Sequence, residues 1–360
     1  MQIASIGRRR FGLSAAALAL AATGLPSMAQ QKRPYIADMH SHYGMFERHI
    51  FGLDLAQHMR ETGATLLAWA ATDDHRWIGT VGGRLKQTRT PEPGELWTSF
   101  QQRVAGYQAK LKEWNLAKAL VPADIDAALA GQPRIVLATE GANFLEGEPA
   151  RVAQAHAWGV RHMQLVHFIQ SPLGDHQTAN PQHGGLTSLG AQVVRECRRL
   201  GIVVDMAHGT PQLVDGVLDA SPGVPVWSHS WITEHGGSWQ QPTYIARSLT
   251  LASARKIAAR GGAVGLWTVR VHGDPAYPVH SVASYADEIM RMCDRIGPAH
   301  VAFGTDMEGA GPGPILATYA HLREVGDNLV RRGLDEGTLQ NIFIGNYARI
   351  VRQAMQGAST

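Results

Sequence analysis

Eight short runs rich in β-branched and aliphatic residues, most of them separated by stretches of helical periodicity, constrain this chain more than any other feature. The runs lie at 35–40, 65–71, 135–140, 162–168, 202–208, 224–229, 263–269 and 301–306. Between them, 189–200, 211–220, 251–260 and 282–296 carry apolar residues at three- and four-residue spacing, the period of a helix buried along one stripe. Strands that alternate with helices build a parallel sheet, because the chain must cross back over the sheet before the next strand can lie alongside. Eight repeats favour an α/β fold of the (β/α)8 TIM-barrel type over a doubly wound open sheet, the competing arrangement. The second connection, about 72–134, is long and holds two further helical patterns, 97–114 and 123–130. Insertions of that kind usually shape a barrel's mouth.

Residues 1–29 stand outside this pattern. Arg8-Arg9-Arg10-Phe11-Gly12-Leu13 precede an apolar run at 14–25, and Ser27-Met28-Ala29 offers the small residues at which a leader is cut. The run is shorter than the roughly 20 residues a spanning helix needs, so it reads as a signal peptide. The arginines, Phe11 and Leu13 fit the twin-arginine type; an ordinary secretory signal with a basic start is the alternative. The expectation is a periplasmic or secreted protein without a stable membrane anchor, its single catalytic domain spanning 30–360. Residues 1–29 hold three arginines and no acids, so removing them takes the formal charge from +3 to 0. A neutral chain gives no sign of a nucleic-acid partner. The two cysteines, Cys197 and Cys293, are too few for a disulfide framework and lack metal-ligand spacing; whether they pair, and whether the chain dimerises, the sequence leaves open.

In a barrel the reactive side chains come from the C-terminal ends of several strands, since only those ends share one open face. Here His40 and His42 end the first run, Glu140 the third, His167 the fourth, His208 the fifth, His229 the sixth and Asp306 the eighth. His40-Ser41-His42 presents two imidazoles to one side of an extended chain. Taken singly, each histidine reads equally well as a polar strand end, Glu140 as half of a salt bridge, and Asp306 as a helix cap. Together, His40, His42, Glu140, His208 and His229 supply nitrogen and oxygen donors suited to two zinc ions, with the carboxylate able to bridge them. Such a pair, roughly 3.5–4 Å apart, lowers the pKa of a bridging water and clamps a substrate carbonyl, which is hydrolytic chemistry. His167 exceeds what the two sites need and could donate to a developing oxyanion. Asp306 could take a proton from the attacking water and pass it to the leaving group.

From about 35 to 351 the chain resembles the membrane dipeptidase family. The likeness is carried by Asp38-Met39-His40, the stretch 123–146 (ADIDAALAGQPRIVLATEGANFLE), Gly159-Val160-Arg161 through His167, Gly185-Leu186-Thr187-Ser188-Leu189-Gly190, and 200–208. Ser228-His229-Ser230, Arg247-Ser248-Leu249-Thr250 and Phe303-Gly304-Thr305-Asp306 complete it. The resemblance implies a zinc-dependent barrel that hydrolyses dipeptides, with Glu140 bridging two zincs, His40 on one and His208 and His229 on the other. It places the substrate-binding histidine on His167 and the proton-handling aspartate on Asp306. Arg247 becomes the candidate grip on the substrate's terminal carboxylate; without the family it would read as a surface charge ahead of a helix.

The chain departs from the family pattern in three places. His42 stands where an aspartate is usual, which leaves the metal pair one unit more positive. The spacing from His229 to Arg247 is longer, with 234–244 looking inserted. Glu308 replaces a second aspartate. These departures keep open a hydrolase of the wider amidohydrolase superfamily acting on another small amide, ester or lactone. A barrel that binds without turnover is the third alternative, and the complete ligand set argues against it.

Overall fold

The computed structural model describes residues 33–44, 54–72, 74–271, 277–309 and 314–358. The leader read at 1–29 lies outside the described residues. Eight parallel strands form a nearly closed barrel: β1 (Ile36–Ser41), β2 (Ala64–Thr72), β3 (Arg134–Glu140), β4 (Val160–Gln164), β5 (Val203–Asp205), β6 (Val226–Ser230), β7 (Ala263–Leu266) and β8 (Val301–Phe303). They follow chain order around the sheet, so each pairs with its predecessor. The longest ladder joins β2 to β3, from Leu66 opposite Arg134 to Thr72 opposite Glu140.

The ring closes between β8 and β1 at their C-terminal ends. Asp306 N donates to His40 O at 3.0 Å and His42 N to Met307 O at 2.8 Å. Buried Asp38 reinforces that seam, taking hydrogen bonds from Thr305 N at 2.8 Å, Thr305 Oγ1 at 2.5 Å and Tyr319 OH at 2.8 Å. Segments 267 residues apart in sequence thereby become neighbours.

The two faces of each strand pack differently, as side chains alternating along a strand require. Leu67, Trp69, Ile135 and Leu137 join the large cluster shared with the helices. Leu66, Ala68, Ala70, Val136 and Ala138 form a second cluster with Tyr347, Ile350 and Val351 of the last helix, Asn346–Gly357. Glu140 follows Val136 and Ala138 at two-residue steps, which puts its carboxylate on this second face.

The helices start where the sequence provides caps. Thr187, Thr210, Thr250 and Ser281 each accept a backbone N–H in the first turn of Ser188–Arg199, Pro211–Ala220, Leu251–Ala259 and Val282–Ile296. A hydroxyl at that position satisfies one of the donors every helix start leaves open, worth about 1 kcal/mol.

Four strands end before their apolar runs do, β7 at Leu266 among them. β4 ends at Gln164, β5 at Asp205 and β8 at Phe303, so His167, His208 and Asp306 sit three residues beyond the sheet, where strand ends were expected. The long second connection also contains an antiparallel hairpin, Ile78–Val81 with Arg84–Gln87, that the helical reading passed over. Its signal was Gly82-Gly83, both at positive φ (58° and 73°), as a two-residue hairpin turn demands. Both cysteines are free thiols. No helix among the described residues is long and apolar enough to cross a membrane.

Candidate active site at the strand ends

Glu140, at the end of β3, is the hub on which the other side chains converge. Its Oε1 lies 3.3 Å from Nε2 of His40, of His167 and of His208, and 3.6 Å from Nε2 of His229. Oε2 lies 3.2 Å from His42 Nε2 and accepts from Thr72 Oγ1 at 3.0 Å. All five histidines and the glutamate are buried. So many nitrogens around one carboxylate, with nothing apolar between them, is an arrangement a cation satisfies better than hydrogen bonds can.

The rings are aimed by their far nitrogens. His42 Nδ1 lies 3.2 Å from Ala70 O, and His229 Nδ1 lies 2.8 Å from Ser228 Oγ, which leaves both Nε2 atoms facing Glu140. Fixing one ring nitrogen is how a protein presents the other as a ligand. Three groups of donor atoms are close enough to share an ion: His40, His42 and Asp306; His40, Glu140 and His229; Glu140, His167 and His208. His42, where the family resemblance led us to expect a carboxylate, is thus among the donors close enough to share an ion.

Protonation favours the same use. Burial pushes His40 down to about 4, and pushes His208 and His229 well below the usual imidazole range, so all three offer neutral lone pairs. Burial alone would raise Glu140, but the charges of His167, His42 and His40 outweigh it and hold the carboxyl well below its ordinary value. Asp306 is pushed up to about 7 by burial, against the pull of His42. A carboxyl poised there can both accept and return a proton near neutral pH.

Two members of the group sit in strained backbone. His208 has φ of 70° and Asp306 of 55°, left-handed values that cost a non-glycine residue roughly 1 kcal/mol or more. The turn at His208 is held by Gly209 N donating to Met206 O at 2.9 Å and by Gln177 N donating to His208 O at 2.7 Å. Strain held in place by its surroundings at such a cluster is typical of side chains that must point inward for function.

Arg247 is buried and 3% exposed, not a surface charge. Its guanidinium lies over the Trp267 ring at 5.5 Å and donates from Nη2 to His229 Nε2 at 3.2 Å, while Nε has no partner. All the site residues expected from the sequence thus meet in one place.

Asp74 was missed. It is fully buried, its Oδ1 lies 2.6 Å from His167 Nδ1, and its Oδ2 accepts from the amides of Phe168 and Ile169 at 3.1 and 3.2 Å. That capture of two amides by a side chain is why β4 stops short and His167 leaves the sheet. The available signal was a pair of acids, Asp73-Asp74, directly after the apolar run of β2, the one early strand to which no ligand had been assigned.

The family model described as membrane dipeptidase (peptidase family M19) matches residues 98–360. Dipeptidase verJ of Clonostachys rogersoniana is 26% identical over 232 residues, 62% of this chain and 55% of that protein. Dipeptidase 3 of Rattus norvegicus is 26% identical over 236 residues, 61% of this chain and 45% of that protein. The chain spans about half the length of the curated relatives it matches. A solved metallopeptidase from Rhodobacter sphaeroides, liganded with a phosphinate mimic of L-Ala-D-Ala, superposes with a TM-score of 0.73 at 18% identity, covering 89% of this chain and 99% of that one. That likeness shows the fold.

Proposed function

This chain belongs to the membrane dipeptidase family, and on that premise we propose that it is a binuclear zinc dipeptidase, exported by the signal at 1–29 and acting in the periplasm. The observation that carries the substrate class is Arg247. A buried guanidinium has only an imidazole lone pair to donate to, and no carboxylate salt bridge reaches it among the described residues. Once His229 Nε2 ligates a metal, that lone pair is taken. The cation then requires an anion from outside the chain, and the free carboxylate of a dipeptide meets a planar guanidinium fork.

The donor set fits two ions: His40, His42 and Glu140 would hold one, and Glu140, His208 and His229 the other. When bound, the pair would supply the Lewis acidity that generates a nucleophile from water at neutral pH and polarises the scissile carbonyl. The remaining steps belong to the chain. Arg247 binds the terminal carboxylate and so fixes which bond faces Glu140. His167, held by Asp74, donates its Nε2–H to the carbonyl oxygen as that oxygen gains charge. Asp306 accepts a proton from the attacking water and delivers it to the departing amine.

The test is release of amino acids from a panel of L,L and L,D dipeptides by the zinc-loaded mature protein, with Glu140→Gln as control. Arg247→Ala should lower kcat/KM about 100-fold for free dipeptides, the value of a charge-assisted hydrogen bond pair, and little for dipeptide amides. No cleavage by protein carrying two metals would sink the dipeptidase reading. It would favour the wider amidohydrolase reading, for which His42 and the 234–244 segment are the observations.

A further inference from the structure

Two segments that the reaction scheme does not use meet beside the active site. The hairpin of the second connection packs against the inserted 234–244 segment: Leu85 N donates to Thr243 Oγ1 at 3.0 Å, and the Arg84 guanidinium donates to the carbonyls of Trp239 and Gln240. Between them and the segment after β4 lies a cleft of about 240 Å³. Its walls are Phe168 and Trp239, and its polar lining includes Arg84, Lys86, Gln170 and Asn180.

The cleft communicates with the chemistry through Phe168. That ring stands edge-on to His167, with centroids 4.5 Å apart, and to His208 at 5.1 Å. His176, another lining residue, is 3% exposed and bridges in antiparallel fashion to Gly209, next to His208. Phe168 and His176 thus place the cleft next to the histidines that surround Glu140.

Its charge is one-sided. Arg84 and Lys86 line it and no Asp or Glu does. The Arg84 hydrogen bonds go to neutral carbonyls, which leave its charge uncompensated, and no ion pair among the described residues includes Lys86. Nearby Asp175 is engaged by the amides of Gln182, His183 and Gly185, facing its own loop. Two uncompensated cations in a partly enclosed cleft focus a positive potential, and aromatic walls exclude part of the water that would screen it.

We propose that this cleft is a side-chain subsite for a carboxylate, so that the enzyme prefers dipeptides bearing an acidic side chain. The inference rests on the dipeptidase reading for its substrate, and it assigns the hairpin and the inserted segment a joint role in specificity. Terminal-carboxylate binding is assigned to Arg247, which does not line this cleft.

The experiment compares Asp with Asn and Glu with Gln at each position of the dipeptide panel, in the zinc-loaded parent and in Lys86→Glu and Arg84→Gln. At one position the acid should be preferred over its amide in kcat/KM, and Lys86→Glu should lower that ratio about fivefold or more, as for a partly exposed ion pair. Cleavage of peptides with neutral side chains is measured in the same proteins, so that the acid-to-amide ratio separates side-chain recognition from a general loss of activity. A second measurement is independent of turnover. N-acetyl-aspartate should perturb the fluorescence of Trp239, which is 37% exposed, more strongly than N-acetyl-asparagine does, and Trp239→Phe or Lys86→Glu should abolish the difference. Equal ratios in parent and Lys86→Glu, or equal binding of the two ligands, would overturn the subsite. Selective binding of the aspartate without cleavage of any dipeptide would leave the subsite standing and remove the dipeptidase reading instead.

Discussion

Asp74 and His167, 93 residues apart in sequence, meet at 2.6 Å between Oδ1 and Nδ1. The aspartate holds one ring nitrogen, so the other, Nε2, is presented 3.3 Å from Glu140 Oε1. Burial by itself would lower the imidazole's pKa, but the carboxylates of Asp74 and Glu140 outweigh it and raise it to about 10.

That rise has a signed consequence for the metal-free protein. A histidine raised in the folded state stabilises it fully below the unfolded pKa, near 6.5, and the stabilisation disappears as pH climbs toward 10. His167 thus gives chelator-treated protein a contribution to stability that falls from pH 6 to pH 9.5, against the opposite trend set by His40, His208 and His229, whose pKa values burial lowers. Asp74→Asn should flatten that slope, by about 1.4 kcal/mol for each unit of the shift it removes. Identical slopes in thermal melts of both proteins would show that Asp74 does not support the charge of His167.

Metal should be worth stability as well as activity. Binding to the folded state alone contributes about 2.7 kcal/mol when free metal exceeds Kd 100-fold, and zinc titration of the stripped protein should raise Tm accordingly. Glu140→Gln removes the carboxylate toward which all five imidazoles point, so it should lose most of that gain. A Tm in Glu140→Gln that still rises fully with zinc would place the ions elsewhere.

Asp306 can be separated from the ligands by its own variant. Asp306→Asn keeps the size and removes the proton acceptor, and kcat should fall by about 100- to 10,000-fold, the usual range for a general acid–base group. Metal analysis of the same sample decides what the loss means. Two retained ions point to proton transfer, whereas loss of one ion makes Asp306 a ligand beside His40 and His42.

Strand packing beside the site makes a prediction about stability. A Cβ on Gly304 would collide with the carbonyl oxygen of Ser228, on the strand that carries His229. Gly304→Ala should destabilise by several kcal/mol, at the upper end of about 1–3 kcal/mol for overpacking or beyond, because a backbone oxygen cannot rotate away. Chemical denaturation measures it; a loss under 0.5 kcal/mol would mean that the two strands part easily.

Much of the site was legible because a parallel barrel imposes one rule on sequence. Side chains that can meet at one face lie at or just past the end of an apolar run, and the candidates His40, Glu140 and His229 were read there. His167, His208 and Asp306 were found too, although their strands end three residues earlier. The apolar run continues past the last ladder bond, since residues in the turn are as buried as those in the strand. Asp74 was harder to see. Its role depends on a contact across the barrel mouth, and a carboxylate after a strand looks the same in sequence whether it caps a turn or aims a histidine.

The sequence by itself determined the barrel, the helix starts and the inventory of candidate donors at the strand ends, because periodicity, capping hydroxyls and strand-end position are local properties of the chain. Tertiary structure alone decided that Arg247 is buried without a carboxylate salt bridge among the described residues, that Asp74 sets the direction of His167, and that Arg84 and Trp239 meet across a cleft. Each of these depends on which distant segments the closed sheet brings together, and on how far burial strips charges of their water.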